Sequence, residues 1–257
     1  MNSLFAETPL KAMDPSALAQ AIMHEAAGIP GMDLHVVAEA IDAATYLHLY
    51  QTRANRGPFS RTPYIEHPLR NTLRALRWGV RAQHIIVATL LHDVVEDCLE
   101  RLLERYVPGD HSVLGVTGGR ELAYSWITDR FGAGASRIVD ALTNPPEDVS
   151  RLSRAEKHAI YTAHVELAIA GDAEVFVGKF ADFDDNAGGL HHNAVPGNEG
   201  MVGRLAAKYL PTADVFIYEF ESNPGIRDLV SEEGYAEIAS KLSAIKGRLS
   251  GLVSAYA

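Results

Sequence analysis

The chain has 257 residues, 47% of them hydrophobic, which is enough to bury a sizeable core in one large domain or two small ones, and a single domain is expected. A formal charge of −10 argues against an extended nucleic-acid footprint or attachment to an anionic membrane surface, because both need clustered, outward-facing cations. The single cysteine, Cys98, excludes an intramolecular disulfide and suggests a reducing compartment, and no apolar run approaches the roughly 20 residues that span a bilayer, so a soluble cytoplasmic protein is expected.

The chain reads as helix after helix, with strand alternation nearly absent. "DPSALAQAIMHEAAG" offers Asp14 as N-cap, Pro15 at the first helical position and Gly28 as the stop. "MDLHVVAEAIDAATYLHLYQTRA" continues the helical period, "NRGPFSRTP" reads as a loop, and "HPLRNTLRALRWG" returns to an amphipathic helix ended by Gly79. "VRAQHIIVATLLHDVVEDCLERLLERY" is expected as one long central helix, apolar nearly all round before His92. "GRELAYSWITDRF", "GASRIVDALT", "SRAEKHAIYTAHVELAIAG", "GRLAAKYLPTADVFIYEFE" and "GYAEIASKLSAIKGRLSGLVSAY" complete an all-α chain without repeats or linkers.

Three stretches carry the chemistry. "TLLHDVVEDC" places His92, Asp93, Glu96 and Asp97 at the end of a greasy helix, where desolvated carboxylates are costly unless a cation sits among them or the helix emerges into water. "TPYIEHPLRN" sets His67 beside Pro68 at a loop-to-helix junction, and "VFVGKFADFDDN" brings Asp182, Asp184 and Asp185 after another apolar run. His67, His92, Asp93 and Asp182 together make a mixed nitrogen and oxygen ligand set suited to Mn²⁺, Fe²⁺ or Zn²⁺.

From about Gln51 to Asn186 the ordered series "Q-x-R … PYIEHP … ATLLHDVVED … FG … IVDALT … KFADFDDN" resembles the HD-domain metal-dependent phosphohydrolases, nearest to the hydrolase domain of RelA/SpoT proteins and the stand-alone small alarmone hydrolases. The resemblance implies a compact multi-helix HD fold over residues 1–257, with an N-terminal helical extension at 1–35 and an insertion at 99–126. It implies one Mn²⁺ per chain held by His67, His92, Asp93 and Asp182, with Glu96 and Asp97 positioning or activating the attacking water. Helical spacing displaces Glu96 from the His92–Asp93 edge, which favours Glu96 as the base. Asn186 and Arg53 match nucleotide-holding positions, and Lys179 balances local charge or serves the helix structurally.

The substrate is less legible than the chemistry. The family's Arg-Lys pair before "PY" is Arg53-Ala54 here, with Arg56 or Arg61 as replacement cations. Its arginine after "LAD" is Phe183, and its threonine after "ED" is Cys98. The expected activity is hydrolysis of guanosine 3′,5′-bis(diphosphate), ppGpp, or of pppGpp, to GDP or GTP and pyrophosphate. The chain ends without room for a synthetase domain, which points to hydrolysis alone. The alternatives are an HD enzyme for another phosphorylated nucleotide and a silent nucleotide-sensing module. A small nucleotide is the expected partner, without nucleic acid or membrane, and the chain leans towards a homo-oligomer. His24, His35, His48, His84, His111, His158 and His164 read as surface or core residues, and His191-His192 as an ambiguous loop pair.

Overall fold

The computed structural model describes residues 8–54, 61–111, 114–145 and 151–256. The fold is all-α as expected, and the only strands among the described residues form a short hairpin. No helix among them is long and apolar enough to cross a membrane. The chain divides into two compact units, Met1–Pro146 and Glu147–Ala257.

In the first unit, α1 (Pro15–Ala27) begins where the side chain of Asp14 accepts the Ala17 N–H. Asp33 caps α2 (Leu34–Leu47) by accepting from His35 and Val36, and its own N–H donates to Gln83 Oε1 at 2.7 Å. The segment after α2 is β1 (Thr52–Ala54), paired antiparallel with β2 (Arg61–Pro63), where helix and loop were expected. The short loop pattern there lacks the alternation by which a strand announces itself. The hairpin delivers the chain to α3 (Glu66–Arg77), which packs on α1 and α4.

Helix α4 (Gln83–Leu91) is the hub of this unit, with Ile85 to Leu91 all buried between α2, α3 and α8 (Ala133–Leu142). A helix apolar on every side has no face to give to water, so it must lie inside. The long helix expected from Val80 to Tyr106 is instead three: α4, the single turn α5 (Val94–Asp97) and α6 (Leu99–Tyr106). His92 and Asp93 occupy the turn between α4 and α5, and Cys98, at φ −128° and ψ 18°, breaks the chain again before α6. The stretch expected as an insertion, 99–126, contributes α6 and most of α7 (Val116–Phe131), and Gly119 permits their approach: a Cβ there would stand 3.3 Å from Leu99 and Leu103 side-chain carbons.

The second unit contains α9 (Arg154–Ile169), α10 (Ala173–Ala187), α11 (Glu199–Ser222), α12 (Gly225–Leu229) and α13 (Glu232–Tyr256). Ser153 and Glu156 form a capping box at the start of α9. The interior is aromatic: Phe176, Phe180 and Phe183 of α10 meet Phe216 of α11, with ring centroids 5.7, 5.5 and 4.8 Å away. Phe183 is 1% exposed and also lies edge-on to Tyr209, so it is a core residue. Phe183→Ala is expected to destabilise the protein by about 3–5 kcal/mol, and Phe183→Arg by more, since the guanidinium would displace a ring from this cluster. Urea denaturation of both variants checks this; a Phe183→Arg protein as stable as the parent would contradict the packing.

Candidate metal centre and adjoining cleft

The N-terminal turn of α3 and the end of α4 bring two imidazoles together, and both helices are tied to each other beneath them. The hydroxyl of Thr89 donates to Ile86 O at 2.8 Å and lies 3.2 Å from the hydroxyl of Thr72. His67 and His92 are buried, with ring centroids 5.2 Å apart. His92 Nδ1 is 3.0 Å from the carbonyl oxygen of Thr89. A carbonyl only accepts, so Nδ1 carries a proton and Nε2 is the ring nitrogen left to face the site. That nitrogen faces Asp93 Oδ2 at 3.0 Å.

His67 is oriented in the same sense. Arg74 donates to Asn71 Oδ1 at 3.1 Å, which turns the Asn71 amide nitrogen to His67 Nε2 at 3.4 Å. His67 Nε2 lies 3.7 Å from the same Asp93 oxygen. Tyr64 donates its hydroxyl proton to Asp93 Oδ2 at 2.7 Å. Burial works to raise the Asp93 carboxyl, but His92, His67 and the Tyr64 hydroxyl outweigh it and hold the group well below the usual carboxylate range. The donor set therefore fits a divalent cation: two imidazole nitrogens converging on one ionised carboxylate in a desolvated place.

Asp97 and Glu96 lie one turn further on and differ in their surroundings. Both Glu96 oxygens are taken by Asn144: its side-chain amide nitrogen is 2.9 Å from each, and its backbone N–H donates to Oε2 at 3.0 Å. Asp97 has only the Tyr64 hydroxyl against it, not a paired grip. Partial burial, followed by the charges of Asp93 and Glu96, pushes its carboxyl up to about 6. Beside it, burial lowers the pKa of His48, whose ring lies 4.9 Å from that of Tyr64 and whose Nδ1 bonds Gln51. Cys98 Sγ is 3.3 Å from Leu47 O, and burial pushes its thiol up to about 12. An open cleft of about 400 Å³ borders Glu96 and Asp97 on this side.

The remaining expected residues are placed as follows. The Arg53 guanidinium lies 5.7 Å from the centre of the Tyr64 ring. Arg61 donates to Thr52 Oγ1 and O, both at 2.6 Å, and so braces the hairpin. Arg56 lies outside the described residues. In the second unit, Asn186 donates to Asp182 Oδ1 at 2.7 Å, one turn away on α10, and Lys179 is buried. Asp184 pairs with Lys241 of α13 at 3.0 Å, a structural tie. The His191 and His192 rings stack on each other at 3.9 Å. Tyr64, His48, Asn71 and Asn144 were not picked out by sequence reasoning; only Tyr64 had a signal, its place inside "PYIEHP".

No family model and no curated protein matches the chain. A solved structure does: a metazoan ortholog of SpoT that hydrolyzes ppGpp, with 19% sequence identity, a TM-score of 0.55, and 84% of this chain and 96% of that chain covered. At this identity the likeness is one of fold.

The raised carboxyl of Asp97 makes a signed prediction for the metal-free protein. A group that binds its proton more tightly folded than unfolded contributes nothing below its unfolded pKa of 3.8 and opposes folding increasingly as pH rises to about 6. Asp97→Asn is therefore expected to stabilise the protein in chelator at pH 7.5 but not at pH 3.5. Urea midpoints at the two pH values read the difference, and an equal effect at both would contradict the raised pKa.

Proposed function

We propose that this chain is a divalent-metal-dependent hydrolase of phosphorylated nucleotides, with ppGpp as substrate and GDP and pyrophosphate as products. The observation that carries the reading is the pair of buried imidazoles whose Nε2 atoms converge on one Asp93 carboxylate oxygen. The shared fold with a ppGpp-hydrolyzing SpoT ortholog supports the choice of substrate. His67, His92 and Asp93 would hold one ion, with Asp182 as the fourth ligand that the "KFADFDDN" motif implies. Mn²⁺ is the proposed ion, with Fe²⁺ or Zn²⁺ compatible with the same donors. The ion, when bound, supplies charge stabilisation of a phosphoryl oxygen and lowers the pKa of a water.

The chain's own residues do the rest. The Thr89 carbonyl fixes the His92 ring orientation, so that ligand needs no reorganisation. Tyr64 holds Asp93 and lies between it and the hairpin that carries Arg53. Asp97 is assigned as the acceptor of the proton from the attacking water. Glu96, with both oxygens engaged by Asn144, is assigned to hold the turn and the cleft wall in place. The water oxygen bonds to the phosphorus attached to the ribose 3′-oxygen, the P–O3′ bond breaks, and pyrophosphate departs as the 3′-oxygen takes up a proton from solvent to re-form the hydroxyl.

A second reading, hydrolysis of a different nucleotide, is favoured by one feature: Phe183 lies in the aromatic core at the position where the resembling family has an arginine. Mn²⁺-loaded protein incubated with ppGpp and a nucleotide panel, with products identified by mass, decides between them. The proposed function predicts pyrophosphate and GDP in equal amounts; orthophosphate, triphosphate or no turnover with ppGpp would overturn it. In the same assay Asp97→Asn is expected to lose about 10² to 10⁴-fold in kcat, the range of a general base, and Glu96→Gln less. Asp182→Ala is expected to lose the metal itself, as read by metal content. Full Mn²⁺ occupancy in that variant would remove Asp182 from the ligand set.

A further inference from the structure

The cleft beside Asp97 is walled on its far side by residues of the insertion: Leu99, Glu100, Arg101, Val116 and Arg120. Two of them are cations without a carboxylate partner. Arg101 donates to Leu47 O at 2.6 Å and lies 4.9 Å from the Tyr50 ring centre, and Arg120 donates to Asn144 O at 2.7 Å. Among the described residues neither guanidinium is ion-paired, and Arg120 Nε is buried without an acceptor. A guanidinium has five donors in a planar fork, so a single carbonyl bond each leaves both cations largely unsatisfied.

The same wall is the start of α7. That helix is 16 residues long, its N-cap is Gly115, no side chain caps it, and its first turn holds no acid. Its first internal backbone bond runs from Gly119 N–H to Gly115 O, so the N–H groups of Val116, Thr117 and Gly118 have no carbonyl within the helix. N–H groups with no helix carbonyl to bond, and among the described residues no capping side chain, followed one turn on by Arg120, make a favourable setting for an anion.

We propose that Arg101, Arg120 and the N-terminal turn of α7 form a phosphate-binding subsite, separate from the metal ligands, that takes a diphosphate arm of the substrate. The carboxylate of Glu100 lines the same cleft and suits sugar hydroxyls, so a ligand that joins a diphosphate to a ribose matches both walls. Assignment of that arm to the 5′-diphosphate of ppGpp rests on the function proposed above; the anion site itself does not. The insertion thereby brings to this cleft the cationic wall that the Arg53-Ala54 segment, one cation short of the family pair, provides less fully.

Calorimetric titration of inorganic pyrophosphate into the full chain, freed of divalent cations and at low ionic strength, tests the subsite apart from catalysis. Binding is expected, weakened roughly ten- to a hundredfold by Arg101→Gln or Arg120→Gln, the loss of one charge-assisted hydrogen bond, and unchanged by His92→Ala. Because Arg120 also braces Asn144, Thr117→Glu serves as a second variant: an acid in the first turn supports the helix yet repels the anion, so it should keep the thermal midpoint and lose binding. Absence of pyrophosphate binding, or binding indifferent to Arg101, Arg120 and Thr117, overturns the subsite. Arginine-dependent binding in a protein that fails to hydrolyse ppGpp would instead keep the subsite and reject the substrate.

Discussion

The structure of the first unit depends on how it tolerates two buried imidazoles against one carboxylate. The Thr89 carbonyl turns His92, and the Nε2 atoms of His92 and His67 both face Asp93 Oδ2. Acceptors converging on an anion in a dry interior are unfavourable unless a proton or a cation lies among them. The surrounding chain is organised to hold that arrangement. The Thr72–Thr89 contact fixes α3 to α4, and the apolar shell of α4 keeps water from relaxing the site by hydration.

From that constraint follows the division of the four acidic and imidazole groups in "LLHDVVED". Helix α4 ends at Leu91 and the chain turns through His92 and Asp93 before the single turn α5. On that turn Glu96 and Asp97 diverge: one is fastened to Asn144 at the end of α8, while the other lies beside Tyr64, His48 and the cleft. Two neighbouring carboxylates thus receive different environments, which is the usual physical basis for different roles.

Much of this was legible in the sequence, for identifiable reasons. Asp14, Pro15 and Gly28 bound α1 as their backbone preferences dictate, and the unbroken apolar run "HIIVATLL" marked α4 as interior. What could not be read was set by distant partners. The break at His92 leaves the helical period of the sequence intact, so a continuous helix was the natural expectation. Asn144 meets Glu96 across 48 residues and has no pattern of its own. His48 looks like any isolated histidine until α2 places it against Tyr64. Phe183 is a departure from a motif on paper and a core ring in space, because the aromatic cluster with Phe216 forms only when α10 and α11 pack.

The central claim is that the His67, His92 and Asp93 arrangement is a metal centre and not merely a buried polar network. Calorimetric titration of Mn²⁺ into metal-free protein at pH 7.5, set beside His67→Ala and His92→Ala, tests it most directly. The account predicts one ion per chain for the parent, a thermal midpoint that rises with Mn²⁺ concentration as linkage requires, and loss of both in either variant. A parent protein that takes up no ion, or a His92→Ala variant that binds Mn²⁺ as the parent does, would contradict it.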